Sequence, residues 1–310
     1  RAMILQPKFV VLDEPTSALS AAEVDNLMAV VRSLRDQGVG ILYVSHRLSE
    51  VDALADHLVV LRDGVIRGEQ DAPFAWNEAL TQMLGDDAGD SASSAKEQRG
   101  SEDILTISGL KLFPRSAPFD LAIRSGEVTG VIGLLGAGKS ETAEAMFGAG
   151  KSKPENMTLH NSEFKPTHPA KAIKRGVYLV PEDRAKLSMF ADWSIQRTVT
   201  LPFLDQITRG FTLDNSREKK MGSDVIAELG VVAEGPAQPV DSLSGGNQQK
   251  VVVGRWLQGD PQVLVLDEPF RGVDIGARRT ISAKARSLAS QGRGVVVFTS
   301  EVDELLEVAD

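Results

Sequence analysis

The chain has 310 residues, a net charge of −9 and no cysteine. Its length allows two domains with buried cores, and the lack of cysteine excludes a disulfide framework or a thiolate metal site and fits a cytoplasmic protein. No apolar run reaches the ~18 residues typical of a membrane span, and the acidic balance argues against a nucleic-acid groove.

The first motif along the chain is an apolar strand that ends in two carboxylates, Asp13 and Glu14, followed by proline. The same five residues, VLDEP, return at 265–269. A second apolar strand is predicted after each copy, at 39–44 and at 294–298. Each copy therefore alternates strand, acidic turn, helix and strand, which indicates a parallel α/β sheet.

The two ends of the chain form a repeat. A shift of 254 positions carries Asp13 onto Asp267 and Glu50 onto Glu304 without a gap. A register of this kind is typical of homologous repeats. We therefore interpret the two ends as halves of tandem domains, and we expect the chain to begin inside the first domain and to stop before the last strands of the second.

A polar segment separates the two domains. Residues 85–103 are rich in Gly, Ser, Ala and acidic side chains and contain almost no large apolar ones, which is typical of a solvated linker. We therefore predict the C-terminal part of one domain at 1–84 and most of a second domain at 104–310.

A glycine-rich loop is the strongest chemical signal. It stands between an apolar strand predicted at 128–132 and a helix predicted at 141–147. A loop of this type wraps nucleotide phosphates with backbone N–H groups, while its lysine neutralises the β and γ phosphates and its serine ligates Mg²⁺. The alternative is a tight glycine turn, but the order of strand, loop and helix favours the phosphate site. The predicted nucleotide-binding residues here are Gly133, Gly136, Ala137, Gly138, Lys139, Ser140 and Glu141.

Two carboxylates follow the strand predicted at 263–266. Burying them is costly unless a cation or a water molecule is bound there. We predict that Asp267 holds Mg²⁺ through water and that Glu268 polarises the attacking water, with Asp13 and Glu14 in the same roles in the first domain. A helix cap is the alternative reading of such a pair, but the glycine loop and the repetition favour the catalytic one.

A third motif identifies a family. Ser244, Gly245 and Gly246, within LSGGNQQK, precede the second acidic strand and resemble the signature motif of ATP-binding cassette ATPases. In that family the signature binds the γ-phosphate of ATP held by the opposite cassette, and two cassettes pair head to tail. The resemblance implies a P-loop NTPase fold of class α/β, a RecA-like core with a parallel sheet plus a helical subdomain, in two tandem cassettes of which the first is incomplete. That subdomain is expected at about 185–240, including 197–211 and 218–229.

Further motifs narrow the resemblance. Three motifs look like the second cassette of tandem ATPases that power bacterial import of monosaccharides and related solutes. They are SGGNQQK, the PEDR sequence at 181–184, where the family often carries a glutamine loop, and RGVDIGA at 271–277. This places Glu182 among the expected nucleotide-site residues, and the 181–184 loop beside a permease.

His46 follows an apolar strand and resembles the family's switch histidine, which contacts the γ-phosphate. The 254-residue shift places Ser300 at the equivalent position of the second cassette. The resemblance therefore predicts unequal sites. The site with Glu14 and His46, completed by the signature at 244–246, is expected to be the better hydrolase.

The resemblance implies ATP and Mg²⁺ as cofactors, permease subunits as partners, an extracytoplasmic solute-binding protein as an indirect partner, and a peripheral location on the cytoplasmic face of the bacterial inner membrane. Adenine stacks on Phe113 or, as the second candidate, Phe119, although either ring could belong to the core. A soluble tandem cassette ATPase acting on ribosomes or DNA is one alternative function, against which the short acidic linker argues. An ATP-binding fragment without turnover is the other.

Overall fold

The computed structural model of the chain consists of two compact units, one up to Ala95 and the other from Lys96. No helix in the described residues combines the length and the apolar character that crossing a bilayer requires. The described residues are 7–16, 21–45, 48–62, 64–84, 102–134 and 136–309.

The first unit contains, in its described part, a parallel and an antiparallel pair of strands together with helices. Its strands are β1 (Phe9–Asp13), β2 (Gly40–Val44), β3 (His57–Arg62) and β4 (Val65–Asp71), and its helices are α1 (Ala21–Asp36), α2 (Leu48–Leu54) and α3 (Trp76–Leu84). β1 pairs in parallel with β2, and β3 pairs antiparallel with β4. Met28 and Val31 of α1 form a small core with Leu54 of α2.

The described part of the second unit contains two four-stranded sheets and a short hairpin. Its strands are β5 (Asp103–Leu110), β6 (Phe119–Arg124), β7 (Val128–Ile132), β8 (Asn156–Leu159), β9 (Ser162–Glu163), β10 (Val177–Val180), β11 (Thr208–Arg209), β12 (Thr212–Leu213), β13 (Val263–Asp267) and β14 (Gly294–Thr299). Its helices are α4 (Lys139–Phe147), α5 (Pro169–Lys174), α6 (Arg184–Leu187), α7 (Ile195–Thr200), α8 (Leu204–Ile207), α9 (Asn215–Leu229), α10 (Gly245–Leu257), α11 (Ile275–Ser290) and α12 (Val302–Val308).

The central sheet of the second unit is parallel throughout, in the order β10-β13-β14-β7. Every residue of β13 and β14 is buried, as expected for a sheet covered on both faces. The predicted α/β class with a parallel sheet is confirmed. Because the strands are parallel, the loops that follow all four of them lie at one edge.

The other sheet is antiparallel, in the order β6-β5-β8-β9. Its first strand, β5, begins at Asp103, the last residue of the predicted linker, while the rest of that segment, except Glu102, lies outside the described residues. Segment 197–211 is not one helix: α7 ends at Thr200, and Pro202 lies in the 3-10 turn that follows. Proline lacks the N–H group that a continuing helix requires.

The sequence repeat is also visible in where the helices and strands of the two units begin and end. The 254-residue shift carries β1 onto β13, α1 onto α11 and α2 onto α12, and the first and last positions of each pair coincide. The strand pairs also share one register, with Asp13 opposite Val44 and Asp267 opposite Phe298. The same local sequence pattern therefore produces the same strand, helix and strand in both units.

The glutamates after the two acidic strands adopt the same unusual backbone. Glu14 and Glu268 have φ of 42° and 45°, in the left-handed region that side chains other than glycine rarely occupy. Each donates its backbone N–H to the neighbouring strand, at 2.9 Å from the oxygen of Val44 and of Phe298 respectively. Strained positions of this kind cluster at functional sites.

Candidate functional site

The glycine-rich loop lies at the carboxyl edge of the parallel sheet, between β7 and α4. Helix α4 begins at Lys139, two residues before the predicted start. Gly136 and Gly138 have φ of 78° and 100°, which favours glycine at both positions. A Cβ atom at 138 would also lie 2.3 Å from Leu112 Cδ1. Both the backbone angles and the packing therefore require glycine at 138.

The early start of α4 puts Lys139 and Ser140 in the first turn of the helix, with Glu141 after them. Ala137 donates its N–H to the oxygen of Leu134 at 3.1 Å, so the loop is closed by a backbone hydrogen bond just before the helix. A helix N-terminus that follows a glycine loop offers unpaired N–H groups and a positive dipole end to an anion.

Lys139 is a buried cation. Its Nζ donates to the backbone oxygens of Gly133 at 2.5 Å and Leu134 at 3.1 Å, and it lies 3.3 Å from Glu268 Oε1. Ser300 Oγ donates to the same carboxylate oxygen at 2.6 Å. An ammonium and a hydroxyl group thus share one oxygen of Glu268.

Ser140, Asp267 and Glu182 come together next to this group. Ser140 Oγ donates to Glu182 Oε2 at 3.4 Å and also hydrogen-bonds Asp267. Burial, together with the charges of Glu182 and Glu268, raises the pKa of Asp267 to about 6, although Ser140 and Lys139 act to lower it. The structure therefore brings together residues from the ends of three strands and from α4.

These residues fit a magnesium ion. Asp267 Oδ1 is buried and has no hydrogen-bond partner in the described part of the chain, and a buried carboxylate oxygen without a partner is costly. The surrounding ligands, a hydroxyl and carboxylates, are the oxygen donors that Mg²⁺ prefers. Among the described residues no three His, Cys, Asp or Glu side chains form a metal cage, and Mg²⁺ is commonly held by one or two carboxylates together with phosphates.

The raised pKa of Asp267 predicts a pH-dependent stability. Because the folded protein favours the protonated carboxyl, Asp267 stabilises the fold at low pH, and this contribution is lost as the pH rises from about 4 to about 6. The shift corresponds to about 3 kcal/mol. In EDTA, the Asp267→Asn variant is expected to be more stable than the wild type above about pH 7.

Chemical denaturation across this pH range measures the effect. The exposed Asp205→Asn variant is the matched control and should follow the wild-type curve. Millimolar Mg²⁺ should stabilise the wild type more than Asp267→Asn, because asparagine loses the anionic ligand. Parallel pH curves for wild type and Asp267→Asn would contradict the assignment of this pKa shift.

Two arginines that the sequence did not identify as site residues join the neighbouring loops. Arg271 Nη1 forms an ion pair with Glu182. Arg184 donates to the backbone oxygens of Arg271 at 3.0 Å and Gly272 at 3.5 Å. Both arginines stand within motifs that the sequence singled out, but only the order of β10 and β13 in the sheet shows that the two loops meet.

The signature residues Ser244, Gly245 and Gly246 lie at the start of α10. A Cβ atom at 245 would lie 2.8 Å from Arg184 Nη2, and one at 246 would lie 2.4 Å from Asp274 Oδ2. The nearest neighbours of both glycines are thus in the loops at 184 and 272–277 rather than in the glycine-rich phosphate loop. At 245 a Cβ atom would also lie 2.9 Å from the backbone oxygen of Gly272, so the packing there favours glycine, whereas at 246 the Asp274 side chain would have to shift.

Asn247 orients the signature serine. Its Nδ2 donates to Ser244 Oγ at 2.9 Å, and its Oδ1 accepts the N–H of Val232 at 2.9 Å. Ser244 itself is exposed. The hydroxyl is therefore available at the surface in a fixed orientation, which the sequence pattern did not predict.

In the first unit, Asp13 ends β1 and Glu14 follows it, and both are exposed. The predicted switch residue His46 lies outside the described residues. In the second unit, Phe113 Cε2 would be 3.4 Å from a Cβ atom at Gly138, so this ring lies against the phosphate loop. Phe119 lies on β6 and is also partly exposed.

The fold and the phosphate loop define a P-loop protein of the ATP-binding cassette type. A nucleotide-free ATP-binding cassette from an ABC transporter matches with a TM-score of 0.55 and 21% identity, over 67% of this chain and 86% of that one. A chain in the crystal structure of the complex of the archaeal ribosomal stalk protein aP1 and the archaeal ribosome recycling factor aABCE1 matches with a TM-score of 0.64 and 22% identity, over 97% of this chain and 56% of that one. At these identities the likeness concerns the fold alone.

Residues 117–271, half of the chain, match the family model described as ABC transporter. The chain belongs to this family. It is similar to the ribose import ATP-binding protein RbsA 2 of Rubrobacter xylanophilus, with 36% identity over all of this chain and 60% of that protein. It is also similar to the fructose import ATP-binding protein FruK of Bifidobacterium longum, with 37% identity over all of this chain and 62% of that protein. The chain thus spans about three fifths of the length of these relatives.

Proposed function

We propose that the chain is part of an ATP-binding and ATP-hydrolysing subunit that energises import of a sugar or a related small solute through a membrane permease. The observation that carries this proposal is the similarity, over the whole chain, to proteins named as ribose and fructose import ATP-binding proteins. The phosphate loop and the adjacent carboxylates supply the chemistry that such a subunit needs.

In this proposal the second unit binds the nucleotide. Backbone N–H groups of the loop and the start of α4 hold the phosphates, Lys139 neutralises their charge, and Phe113 stacks on adenine. Ser140 and Asp267 would hold Mg²⁺, which would supply positive charge beside the phosphates. Glu268 orients and polarises the attacking water. Transfer to water requires mainly positioning and charge stabilisation, which these fixed groups supply.

We assign 1–84 to the end of a first cassette and 104–310 to a second one, joined by a linker, with the two cassettes pairing head to tail. The signature at 244–246 then completes the site that contains Asp13, Glu14 and His46. An exposed signature serine that Asn247 orients supports this arrangement, because its hydroxyl is accessible at the surface.

The proposed permease contact lies after the 181–184 loop. Leu187 and Phe190 there are 65% and 53% exposed, and the Phe190 ring packs against Trp193 at 4.7 Å between centroids. Exposed apolar side chains close together are typical of protein interfaces. We propose that this surface places the subunit on the cytoplasmic face of the bacterial inner membrane, where the permease links it to an extracytoplasmic solute-binding protein.

The test is ATP hydrolysis by the full-length protein reconstituted with its permease and solute-binding protein in liposomes. Ribose or fructose is expected to stimulate ATP hydrolysis. The sugar is also expected to accumulate on the side of the liposome membrane where the ATPase subunit is bound. Lys139→Ala should abolish the coupling, and Lys219→Ala, which changes an exposed lysine of α9, should not. Stimulation by ribosomes or DNA in place of sugar would contradict the import function. If the protein binds ATP but hydrolyses none under any of these conditions, its function is nucleotide binding alone.

A further inference from the structure

A line of polar contacts runs from α12 to the phosphate loop. Thr299 Oγ1 donates to Glu304 Oε2 at 2.6 Å, and the next residue, Ser300, donates to Glu268 at 2.6 Å. Glu268 in turn lies 3.3 Å from Lys139 Nζ. Two adjacent hydroxyls at the end of β14 are therefore each held by a carboxylate, and only one of these carboxylates has a role in the proposed chemistry.

The first unit repeats the outer contact. Ser45 Oγ donates to Glu50 Oε2 at 3.0 Å, and the 254-residue shift carries Ser45 onto Thr299 and Glu50 onto Glu304. Serine is replaced by threonine between the units, but the hydroxyl and its carboxylate partner are retained. In both units the hydroxyl immediately precedes the switch position. The same contact in two diverged units indicates a shared requirement at this place in the site.

Burying the glutamate of this hydroxyl–carboxylate contact costs free energy of desolvation. Packing of the helix against the sheet therefore does not by itself explain why a glutamate stands there. Glu50 is only 4% exposed, and burial raises the pKa of Glu304 to about 6, against the hydrogen bond from Thr299 and the charge of Arg278. An apolar side chain would pack at this position without a desolvation cost. Thr299 also accepts the N–H of Glu301 at 3.1 Å, so its hydroxyl is fixed as both donor and acceptor.

We propose that Glu304 is a positioning residue, which fixes the end of β14 through Thr299 and so holds Ser300 against Glu268. Glu50 fixes the residue after β2, Ser45, in the same way in the first unit. The proposal rests on the nucleotide site proposed above. Because Ser300 and Lys139 share Glu268 Oε1, losing the serine contact leaves Lys139 as the partner of that oxygen. The lysine is then less available to a phosphate.

The consequence is measurable as weaker nucleotide binding. Glu304→Ala is expected to raise the dissociation constant of MANT-ATP about 5-fold, the value of one net hydrogen bond. Ser300→Ala should have the same effect. Glu304→Gln should stay within about 2-fold of the wild type, because its amide oxygen still accepts the Thr299 hydroxyl. Glu234→Gln, an exposed loop position, is the matched control.

The double variant Ser300→Ala/Glu304→Ala distinguishes a positioning role of Glu304 from an effect on nucleotide binding that is independent of Ser300. If Glu304 acts through Ser300, adding Glu304→Ala to Ser300→Ala leaves the dissociation constant at about 5-fold above wild type, whereas independent effects would multiply to about 25-fold. Multiplying effects, or a wild-type affinity in Glu304→Ala, would overturn the proposal. Denaturation curves verify that each variant is folded. If Glu304→Ala does not fold, Thr299→Val takes its place in the cycle.

The same titration separates this proposal from the function on which it rests. A wild-type chain that binds no MANT-ATP, or binds it equally well as Lys139→Ala, overturns the nucleotide site and the positioning role together. A different result overturns the positioning role alone. In that case the wild type binds MANT-ATP and Lys139→Ala does not, but the effects of Ser300→Ala and Glu304→Ala on the dissociation constant multiply in the double variant.

Discussion

The Lys139→Ala variant is expected to bind ATP at least about 100-fold more weakly than the wild type, since charge-assisted contacts with a phosphate are each worth about 1.5–3 kcal/mol. Lys139 Nζ already lies within the loop, on the oxygens of Gly133 and Leu134 and beside Glu268. Only 9% of the residue is exposed. Its charge is therefore poorly screened by water and acts strongly on an anion that enters the loop.

Equilibrium titration of the chain with MANT-ATP measures this effect. Lys219→Ala controls for the loss of one positive charge and should bind as the wild type does. Lys139→Arg is a second, sharper variant: it keeps the charge, but its larger planar head does not fit the two backbone oxygens as an ammonium does, so we expect it to bind weakly as well. Unchanged affinity in Lys139→Ala would show that the loop is only a structural turn.

The Glu14→Gln and Glu268→Gln variants of the full-length protein are expected to differ greatly in ATP hydrolysis. Glu14→Gln should remove nearly all turnover, and Glu268→Gln should leave most of it. The reason lies at the switch position. By the repeat register, His46 of the first unit stands at the position that Ser300 holds in the second, and we expect its imidazole to orient water and contact phosphate. In the second unit, Ser300 donates its hydroxyl to Glu268 itself.

The hydrogen bond from Ser300, together with Lys139, occupies Glu268 Oε1, so this oxygen is less available to accept a hydrogen bond from the attacking water. Steady-state hydrolysis by the two variants, with MANT-ATP binding as a check that both still bind nucleotide, gives the comparison. Ser300→His is the matched gain-of-function variant and should increase the dependence of turnover on Glu268. Equal loss of activity in Glu14→Gln and Glu268→Gln would refute unequal sites.

Local patterns account for much of what could be predicted. The apolar run at 263–266 is a strand because buried parallel strands are continuously apolar, and β7 has the predicted bounds although only Val128 of it is buried. The start of α4 was predicted two residues late, since Lys139 and Ser140 belong to the loop motif and to the helix at once. The continuous register of the repeat predicted equivalent positions, and the bounds of β1, α1 and α2 coincide under it with those of β13, α11 and α12.

Contacts across the sheet could not be predicted in the same way. Ser300 and Glu268 are 32 residues apart, and Arg271 and Glu182 are 89 apart. Whether such residues meet depends on the order of the strands, and an apolar strand pattern is compatible with several orders. Arg271 therefore had no predicted site role, although it stands three residues after Glu268.

The sequence by itself determined the class of the chain, its repeat and the residue types that handle phosphate, because these depend on spacing along the backbone: a glycine loop before a helix and carboxylates at strand ends. The tertiary structure decided which of those groups touch. The order β10-β13-β14-β7 brings four strand ends to one edge, so that Ser300 meets Glu268 and Lys139. Burial at that edge then sets the pKa of Asp267, which no local pattern encodes.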